Sequence, residues 1–180
     1  MQTDNDRVVR SDRLEMVLLS PEQMDAVAAG SVDELALALD ATISPDWLGE
    51  VRWLASLRAR QVRERPQDAP WLIRAIVRAE PGEPREAIGY LNFHGAPNDD
   101  GRVEVGYTLL APARGRGYAI EAVRAMFAWA QREHGVRRFR ATVAPDNERS
   151  INLIAKLGFA HTGEQWDPDD GRELVYDLDV

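Results

Sequence analysis

The sequence predicts an α/β fold in which helices pack on both faces of a single mixed, mostly antiparallel sheet. Three observations predict it. Short apolar stretches of strand length dominate residues 71–110, a strand–helix–strand unit spans Arg102 to Val143, and no repeat, low-complexity segment or linker divides the chain. The two strands of that unit are expected to be parallel neighbours.

The first half of the chain predicts one strand and three helices. Residues 13–18 alternate like a strand, after a tail, residues 1–10, that we expect to be disordered. Ser20-Pro21-Glu22-Gln23 and Ser31-Val32-Asp33-Glu34 are typical of capping boxes that begin two short helices. Residues 47–65 predict a longer helix with one buried face, which Arg58 interrupts. We expect residues 11–180 to form one domain.

The second half predicts a three-stranded meander followed by further helices and strands. The meander strands are residues 71–79, 86–94 and 102–110, separated by turn-forming stretches at 80–84 and 95–101. Residues 117–134 carry apolar side chains at helical spacing, and Gly135 predicts a left-handed end. The remaining elements are a strand at 137–143, a short helix at 148–157 and a final hairpin of 159–166 with 172–178 around a turn at 167–171.

Composition excludes several classes of function. The 180 residues include 30 acidic and 22 basic side chains, and the net charge of -8 argues against general nucleic-acid binding. The absence of cysteine removes disulfides, thiolate metal sites and a cysteine nucleophile. The three histidines have no metal-ligand spacing, so no metal is expected. The sequence has neither a run of membrane-spanning length nor a secretory signal, and we expect a soluble, cytoplasmic protein with no membrane partner.

A glycine-rich loop before the helix at 117–134 predicts an anion site. Its sequence is Arg114-Gly115-Arg116-Gly117-Tyr118-Ala119, and it leads from a strand to a helix N-terminus, where unpaired N–H groups and the helix dipole favour negative charge. The glycines permit close approach of a ligand and the arginines add positive charge. The patterns G-x-x-x-x-G-K-[ST] and G-x-G-x-x-G are both absent, which disfavours ATP and NAD. By itself, the loop fits an ordinary glycine-rich connection equally well.

The loop resembles the R/Q-x-x-G-x-G/A signature of the GNAT acetyltransferase superfamily, with Arg114, Gly117 and Ala119 at the specified positions. Further stretches follow the order and spacing of the branch that contains the ribosomal-protein N-terminal acetyltransferases of the RimJ/RimL type. These stretches are Asp12-Arg13-Leu14, Glu104-Val105-Gly106-Tyr107, Gly117-Tyr118-Ala119 with Glu121-Ala122, Asn147-x-x-Ser150 and Lys156-Leu157-Gly158-Phe159. Residues 31–70 are the least family-like and are expected to select the substrate.

The resemblance implies the GNAT fold, in which the parallel strands splay around the cofactor, and acetyl-CoA or another acyl-CoA as co-substrate. In this family the loop amides hold the cofactor pyrophosphate and neighbouring residues contact the pantetheine arm. The cofactor-binding residues implied here are Leu109, Leu110, Arg114, Gly115, Arg116, Gly117, Tyr118, Ala119 and Asn147. A backbone N–H near Leu109 or Leu110 is expected to stabilise the tetrahedral intermediate.

Glu104 and Ser150 are the catalytic residues that the resemblance implies. An amine attacks only in its neutral form, and a lysine amine titrates near about 10.4, so a base is useful. Glu104 would assist deprotonation, directly or through water, and Ser150 would help the thiolate to leave. From the residues alone, Glu104 could instead pair with Arg102 or Arg140, and Asn147 could simply cap the following helix.

The function implied is transfer of an acyl group, most simply acetyl, from acyl-CoA to a primary amine by direct attack in a ternary complex. The acceptor could be a protein N-terminus or a small molecule such as a polyamine, and Trp47 and Trp53 could line its pocket. The alternatives are a non-catalytic acyl-CoA-binding module and a phosphate-binding interaction domain unrelated to CoA. Homodimerisation is an expectation from the family without a signal in the sequence.

Overall fold

The structure, a computed structural model, describes residues 7–168 and 171–180. Within these ranges one sheet contains eight strands. In chain order they are β1 (Val8–Arg10), β2 (Leu14–Leu18), β3 (Arg74–Arg78), β4 (Glu86–Phe93), β5 (Arg102–Leu109), β6 (Arg138–Val143), β7 (Ala160–Asp167) and β8 (Gly171–Asp179). Their order across the sheet is β1-β2-β3-β4-β5-β6-β8-β7, and only β5 and β6 are parallel neighbours among these strands. The predicted mixed, mostly antiparallel sheet is confirmed.

Five α-helices pack on this sheet in the described part of the chain. They are α1 (Pro21–Ala29), α2 (Asp33–Leu39), α3 (Pro45–Glu64), α4 (Tyr118–His134) and α5 (Glu148–Lys156). Side chains alternate between the faces of a strand, so Met16 and Ile76 pack in the core with α4, whereas Val17 and Val77 pack in the core with α1–α3. Helices therefore cover both faces, as predicted. None of these described helices is long and apolar enough to cross a membrane.

The parallel pair separates partway along its length. β5 and β6 are paired only from Arg102↔Arg138 to Glu104↔Arg140. Beyond that point β5 continues to Leu109 and β6 to Val143 without pairing to each other. The resulting opening between residues 105–109 and 141–143, here called the gap, is the splay implied by the family resemblance.

The helix caps agree with the sequence at α1 and differ at α2. Ser20 caps α1, with its side chain accepting from the Gln23 N–H and the Gln23 side chain accepting from the Ser20 N–H, which confirms the capping box. The second predicted box was wrong, because α2 has Val32 at its N-cap and no side-chain cap bond. The Ser31 N–H instead donates to Ala26 O and helps to close α1.

Two expectations in the first half need correction. Residues 8–10 were expected in a disordered tail, but Val8–Arg10 forms β1, since the Ser11 N–H donates to Leu14 O and turns the chain back against β2. Residues 1–6 lie outside the described part.

The two tryptophans do not line a shared pocket: Trp47 is fully buried, with its indole N–H donating to Gly89 O at 2.8 Å, and Trp53 is 66% exposed. The turn at 167–171 lies partly outside the described residues.

Gly89 of β4 allows β5 to lie close beside it. A Cβ atom built on Gly89 would lie 2.2 Å from Thr108 O and 2.8 Å from Leu109 Cδ2. Both neighbours belong to the end of β5 that borders the gap, and Thr108 O is backbone. No side chain fits at this position without moving that end of β5.

Candidate active site

A cleft of about 890 Å³ opens at the gap, between the N-terminus of α4 and the helix α5. Three parts of the chain form its walls: the end of β5, the glycine-rich loop with the first turn of α4, and one face of α5. The lining residues are Tyr107, Thr108, Leu109, Arg114, Gly115, Gly117, Tyr118, Ala119, Ile120, Asn147, Arg149, Ser150, Asn152, Leu153 and Lys156. Eight of these are residues that the sequence predicts for the site.

The glycine-rich loop presents backbone N–H groups to the cleft. Gly115 and Gly117 have φ values of 77° and 81°, in the left-handed region that glycine tolerates best. Gly117 is the N-cap of α4 and no side chain caps this end of the helix. The first-turn N–H groups therefore lack helical partners and lie at the positive end of the helix dipole. This geometry suits a phosphate group.

The loop is braced by the segment before β2. Glu121, in the first turn of α4, accepts from Ser11 Oγ at 2.7 Å, from the Arg13 N–H at 2.9 Å and from Arg13 Nε at 2.8 Å. The Arg13 guanidinium also lies 4.5 Å over the Tyr118 ring, whose hydroxyl donates to Glu80 at 2.5 Å. Burial alone would raise the pKa of Glu121, but these hydrogen bonds and the Arg13 charge lower it overall.

Three cationic side chains line the cleft, and only one of them was predicted. Arg114 donates from Nε to Leu109 O at 2.9 Å, which holds its guanidinium at the end of β5. Arg149 and Lys156 approach from α5. Arg116, which was predicted as a cofactor ligand, is exposed and lies outside the lining, and its carbonyl accepts from Arg13 Nη2 at 3.2 Å.

Leu109 and Leu110 differ in what their backbone can offer. The Leu110 N–H donates to Ile88 O at 2.9 Å, its side chain belongs to the core under α1–α3, and it lies outside the cleft lining. Because bonding directions alternate along an antiparallel strand, the Leu109 N–H points away from β4 and toward the gap. Of the two predicted residues, Leu109 therefore presents its backbone N–H to the gap, and Leu110 does not.

Asn147 and Ser150 both combine a capping role with a place on the cleft wall. Asn147 Oδ1 accepts from the Ser150 N–H at 3.2 Å, so the predicted cap is present, and both residues line the cleft. Tyr107, which sequence reasoning had not singled out, faces them. Burial raises the pKa of the Tyr107 hydroxyl, against a smaller opposing effect of Ser150. This buried hydroxyl lies near the Ser150 side chain, but the two do not form a well-aligned hydrogen bond in the described part of the chain.

Glu104 lies at the closed end of the gap, and within residues 7–168 and 171–180 it does not pair with an arginine. Its Oε1 accepts from Thr142 Oγ1 on β6 at 2.6 Å and lies 3.4 Å from His94 Nδ1. The arginines considered as its partners, Arg102 and Arg140, both contact Asp177 instead. The carboxylate is therefore held beside the gap by the Thr142 hydroxyl, with the His94 ring next to it.

The sequence prediction named Ser150 of α5 but missed Arg149 and Lys156 of the same helix, and it did not place His94 beside Glu104. Residues 149, 153 and 156 are spaced four and three positions apart and so share one face of α5, a signal that was present in the sequence. Lys156 is also the only lysine in the chain. His94 had no comparable signal, because its proximity to Glu104 depends on the register of β4 against β5.

Comparisons with known proteins agree with this geometry. A family model described as an acetyltransferase (GNAT) domain matches residues 13–160. The chain is 34% identical over 74 residues to the uncharacterized N-acetyltransferase YjdG of Bacillus subtilis (strain 168), covering 41% of this chain and 44% of that protein. It is 33% identical over 80 residues to the ribosomal protein uS5-alanine N-acetyltransferase of Escherichia coli (strain K12), covering 44% of this chain and 41% of that protein. The matches thus span less than half the length of these curated relatives.

Solved structures show the same fold. An acetyltransferase of the GNAT family from Bacillus anthracis superposes with a TM-score of 0.63 at 17% identity, covering 96% of this chain and 98% of that one. RimL, a ribosomal L7/L12 alpha-N-protein acetyltransferase in complex with coenzyme A, superposes with a TM-score of 0.66 at 17% identity, again covering 96% and 98%. At these identities the likeness concerns the fold.

Proposed function

This chain belongs to the GNAT acetyltransferase family, and we propose that it transfers an acyl group, most simply acetyl, from acyl-CoA to a primary amine. The observation that carries the proposal is the cleft, which joins a helix N-terminus, three cations and an open gap between parallel strands. The transfer is a direct attack of the amine on the thioester within a ternary complex, so no covalent enzyme intermediate is needed.

The residues of the cleft fit acyl-CoA. The left-handed glycines Gly115 and Gly117 leave the loop amides open to a pyrophosphate, and Arg114 supplies charge beside them. Arg149 and Lys156 supply further charge for the remaining phosphate of CoA. The residues proposed to hold the cofactor are Leu109, Arg114, Gly115, Gly117, Tyr118, Ala119, Asn147, Arg149 and Lys156.

The acceptor amine is proposed to approach from the opposite face of the sheet. The cofactor cleft occupies the side of α4 and α5, and the gap connects it with the side of α1–α3. Glu104 lies at the end of this gap, where a carboxylate can attract a cationic amine and assist its deprotonation. Ser150, on the cleft wall, is placed to help the thiolate to leave.

The class of the acceptor is proposed from the relatives. The Escherichia coli relative is named for the alanine of ribosomal protein uS5, and RimL for the L7/L12 α-amine, so a protein N-terminus is the first acceptor to test. A small-molecule amine such as a polyamine is the second. The net charge of -8 is compatible with either cationic acceptor.

Turnover and binding assays together test this function. Acetyl-CoA consumption is measured against a panel of peptide N-termini and small amines, and CoA binding is measured separately by calorimetry. We expect binding together with formation of an acetylated amine, identified by mass spectrometry. Binding without product for any amine would support the non-catalytic acyl-CoA module instead, and absence of binding would remove both.

Lys156 provides a direct test of where CoA binds. As the only lysine of the chain, it is the only side-chain amine that reductive methylation can modify. We expect saturating CoA to slow methylation of Lys156 several-fold, because the side chain lines the cleft and would be paired with a phosphate. The N-terminal amine serves as the internal reference in the same mass spectrum. Equal methylation rates of Lys156 with and without CoA would contradict the proposed position of the cofactor.

A further inference from the structure

A connected set of polar side chains lies on the α1–α3 side of the sheet, next to the gap. Charged and amide side chains are mostly exposed in proteins, yet Arg58, Gln61 and Asn92 are buried between α3 and the sheet. Arg58 Nε donates to Asn92 Oδ1 at 3.2 Å and Arg58 Nη1 donates to Gln61 Oε1 at 2.6 Å. The Gln61 side chain donates in turn to Asp68 at 2.7 Å. This explains why a charged residue interrupts the apolar face of α3.

The set of polar side chains fixes the position of His94. The His94 carbonyl accepts from Gln61 Nε2 at 2.9 Å and from Arg58 Nη1 at 3.3 Å. On the other side, the His94 N–H donates to Glu104 O at 2.8 Å. The residue directly after β4 is therefore held both by α3 and by β5. This support from two elements restricts where the imidazole can lie.

The two ring nitrogens of His94 have different surroundings. Nδ1 lies 3.4 Å from Glu104 Oε1, the same oxygen that accepts from Thr142 Oγ1. Nε2 lies 3.0 Å from the point where a Cβ atom of Gly106 would be. Gly106 lies two positions after Glu104, the last residue of β5 that pairs with β6, and so lies at the start of the gap. Nε2 therefore lies beside the start of the gap, where the acceptor is proposed to enter.

We propose that His94 Nε2 accepts the proton from the attacking amine and that Glu104 acts through it, as a positioning residue that holds Nδ1–H. This inference rests on the proposed acyl transfer, and it assigns the contact with the amine to the residue directly after β4 rather than to Glu104 of β5. A carboxylate that orients an imidazole and stabilises its protonated form is a general arrangement for a histidine base.

The surrounding charges agree with a neutral imidazole near pH 7. Partial burial of the imidazole, whose side chain is 43% exposed, lowers the pKa of His94. The Glu104 carboxylate opposes this effect, and the Arg58 guanidinium lowers the pKa further. Asp68 lies farther away, beyond Gln61, from which it accepts a hydrogen bond. Since the pKa falls below the ordinary value of about 6.5, the form that accepts a proton prevails at neutral pH.

The proton and bond changes balance without a further reactant. The ammonium form of the acceptor gives one proton to Nε2, and the neutral nitrogen then attacks the thioester carbon to form the C–N bond. As the C–S bond breaks, the second proton leaves nitrogen for the thiolate, and the imidazolium releases its proton to water. The sum is an amide, a free thiol and one proton from an ammonium ion and a thioester.

Three variants test the assignment in the CoA-binding protein. His94→Gln is expected to lower kcat by about 100-fold and to abolish the acidic limb of the pH profile, with CoA affinity unchanged. Glu104→Gln is expected to cause a smaller loss and to move the acidic limb to lower pH, because Glu104 raises the pKa of His94. Added imidazole should partly restore product formation in His94→Ala. His161→Gln, on exposed β7, is the matched control and should leave kcat and the limb unchanged.

The outcomes separate this inference from the proposed function. If the His94→Gln variant kept a kcat within three-fold of the wild-type value and retained the acidic limb, the role of His94 would be overturned. If the limb vanished only in Glu104→Gln, the carboxylate would contact the amine itself and the assignment would be wrong. If wild-type protein bound CoA but acylated no amine, the proposed function would fail, and the proton-accepting role of His94 with it.

Discussion

Replacing Gly89 with alanine is expected to lower the free energy of unfolding by about 3 kcal/mol, the upper part of the usual range for an overpacked core. The added Cβ would meet Thr108 O at 2.2 Å, and a backbone oxygen cannot move aside as a flexible side chain can. The midpoint of thermal unfolding should fall by roughly 9 °C, at about 3 °C per kcal/mol for a chain of this size. Calorimetry or circular dichroism measures the change.

Gly49→Ala is the matched control for this substitution. Gly49 lies within α3, and a Cβ atom there would have no neighbour within 4 Å. The same chemical change is therefore expected to stabilise the protein slightly, by about 0.5–1 kcal/mol, because alanine favours helix. If both variants unfolded at the wild-type temperature, β4 and β5 could not be as close at Gly89 as described. Because Thr108 and Leu109 border the gap, we also expect Gly89→Ala to weaken CoA binding.

Replacing Gly117 with alanine is expected to weaken CoA binding roughly ten-fold. Gly117 has a φ of 81°, which costs an L-residue about 1–2 kcal/mol, and the backbone can avoid this cost by leaving the left-handed region. The N–H groups at the start of α4 would then turn from the cleft, and binding would have to restore the strained conformation. A penalty of about 1.4 kcal/mol corresponds to a ten-fold weaker complex, measurable by calorimetry.

Gly135→Ala controls for the general cost of this strain. Gly135 ends the same helix, with a φ of 67° and open space around its Cα, so the stability loss should be similar. Its distance from the loop predicts unchanged CoA affinity. Equal affinities for the Gly117→Ala and Gly135→Ala proteins would show that the loop amides do not bind the cofactor.

The sequence was informative wherever the cause of a structure is local. The Ser20 capping box depends on four consecutive residues, and the left-handed end at Gly135 depends on the absence of a side chain, so both were predictable. The false box at Ser31 shows the limit, since the preceding helix uses the Ser31 N–H for its own termination. Competition between neighbouring elements for one donor is not visible in a local motif.

Predictions failed or were absent where the cause is distant in sequence. Arg58 lies in an otherwise apolar face because it donates to Asn92, which is 34 residues away in the sequence. Leu110 does not offer its N–H to the site because this group donates to Ile88 O. His94 approaches Glu104 only once β4 and β5 adopt their register. These features require the packed sheet, whereas Arg114 and Gly117 belong to a single loop.

The bond between Arg13 and Glu121 also has a consequence for the order of folding. The two residues are 108 positions apart, so closing the chain between them carries a large entropic cost and should occur late. The helix start that Glu121 belongs to can form earlier, but its loop is held in place only after the first strands have docked. We therefore expect CoA affinity to develop in the last kinetic phase of refolding, so that cofactor binding distinguishes the finished protein from a compact intermediate.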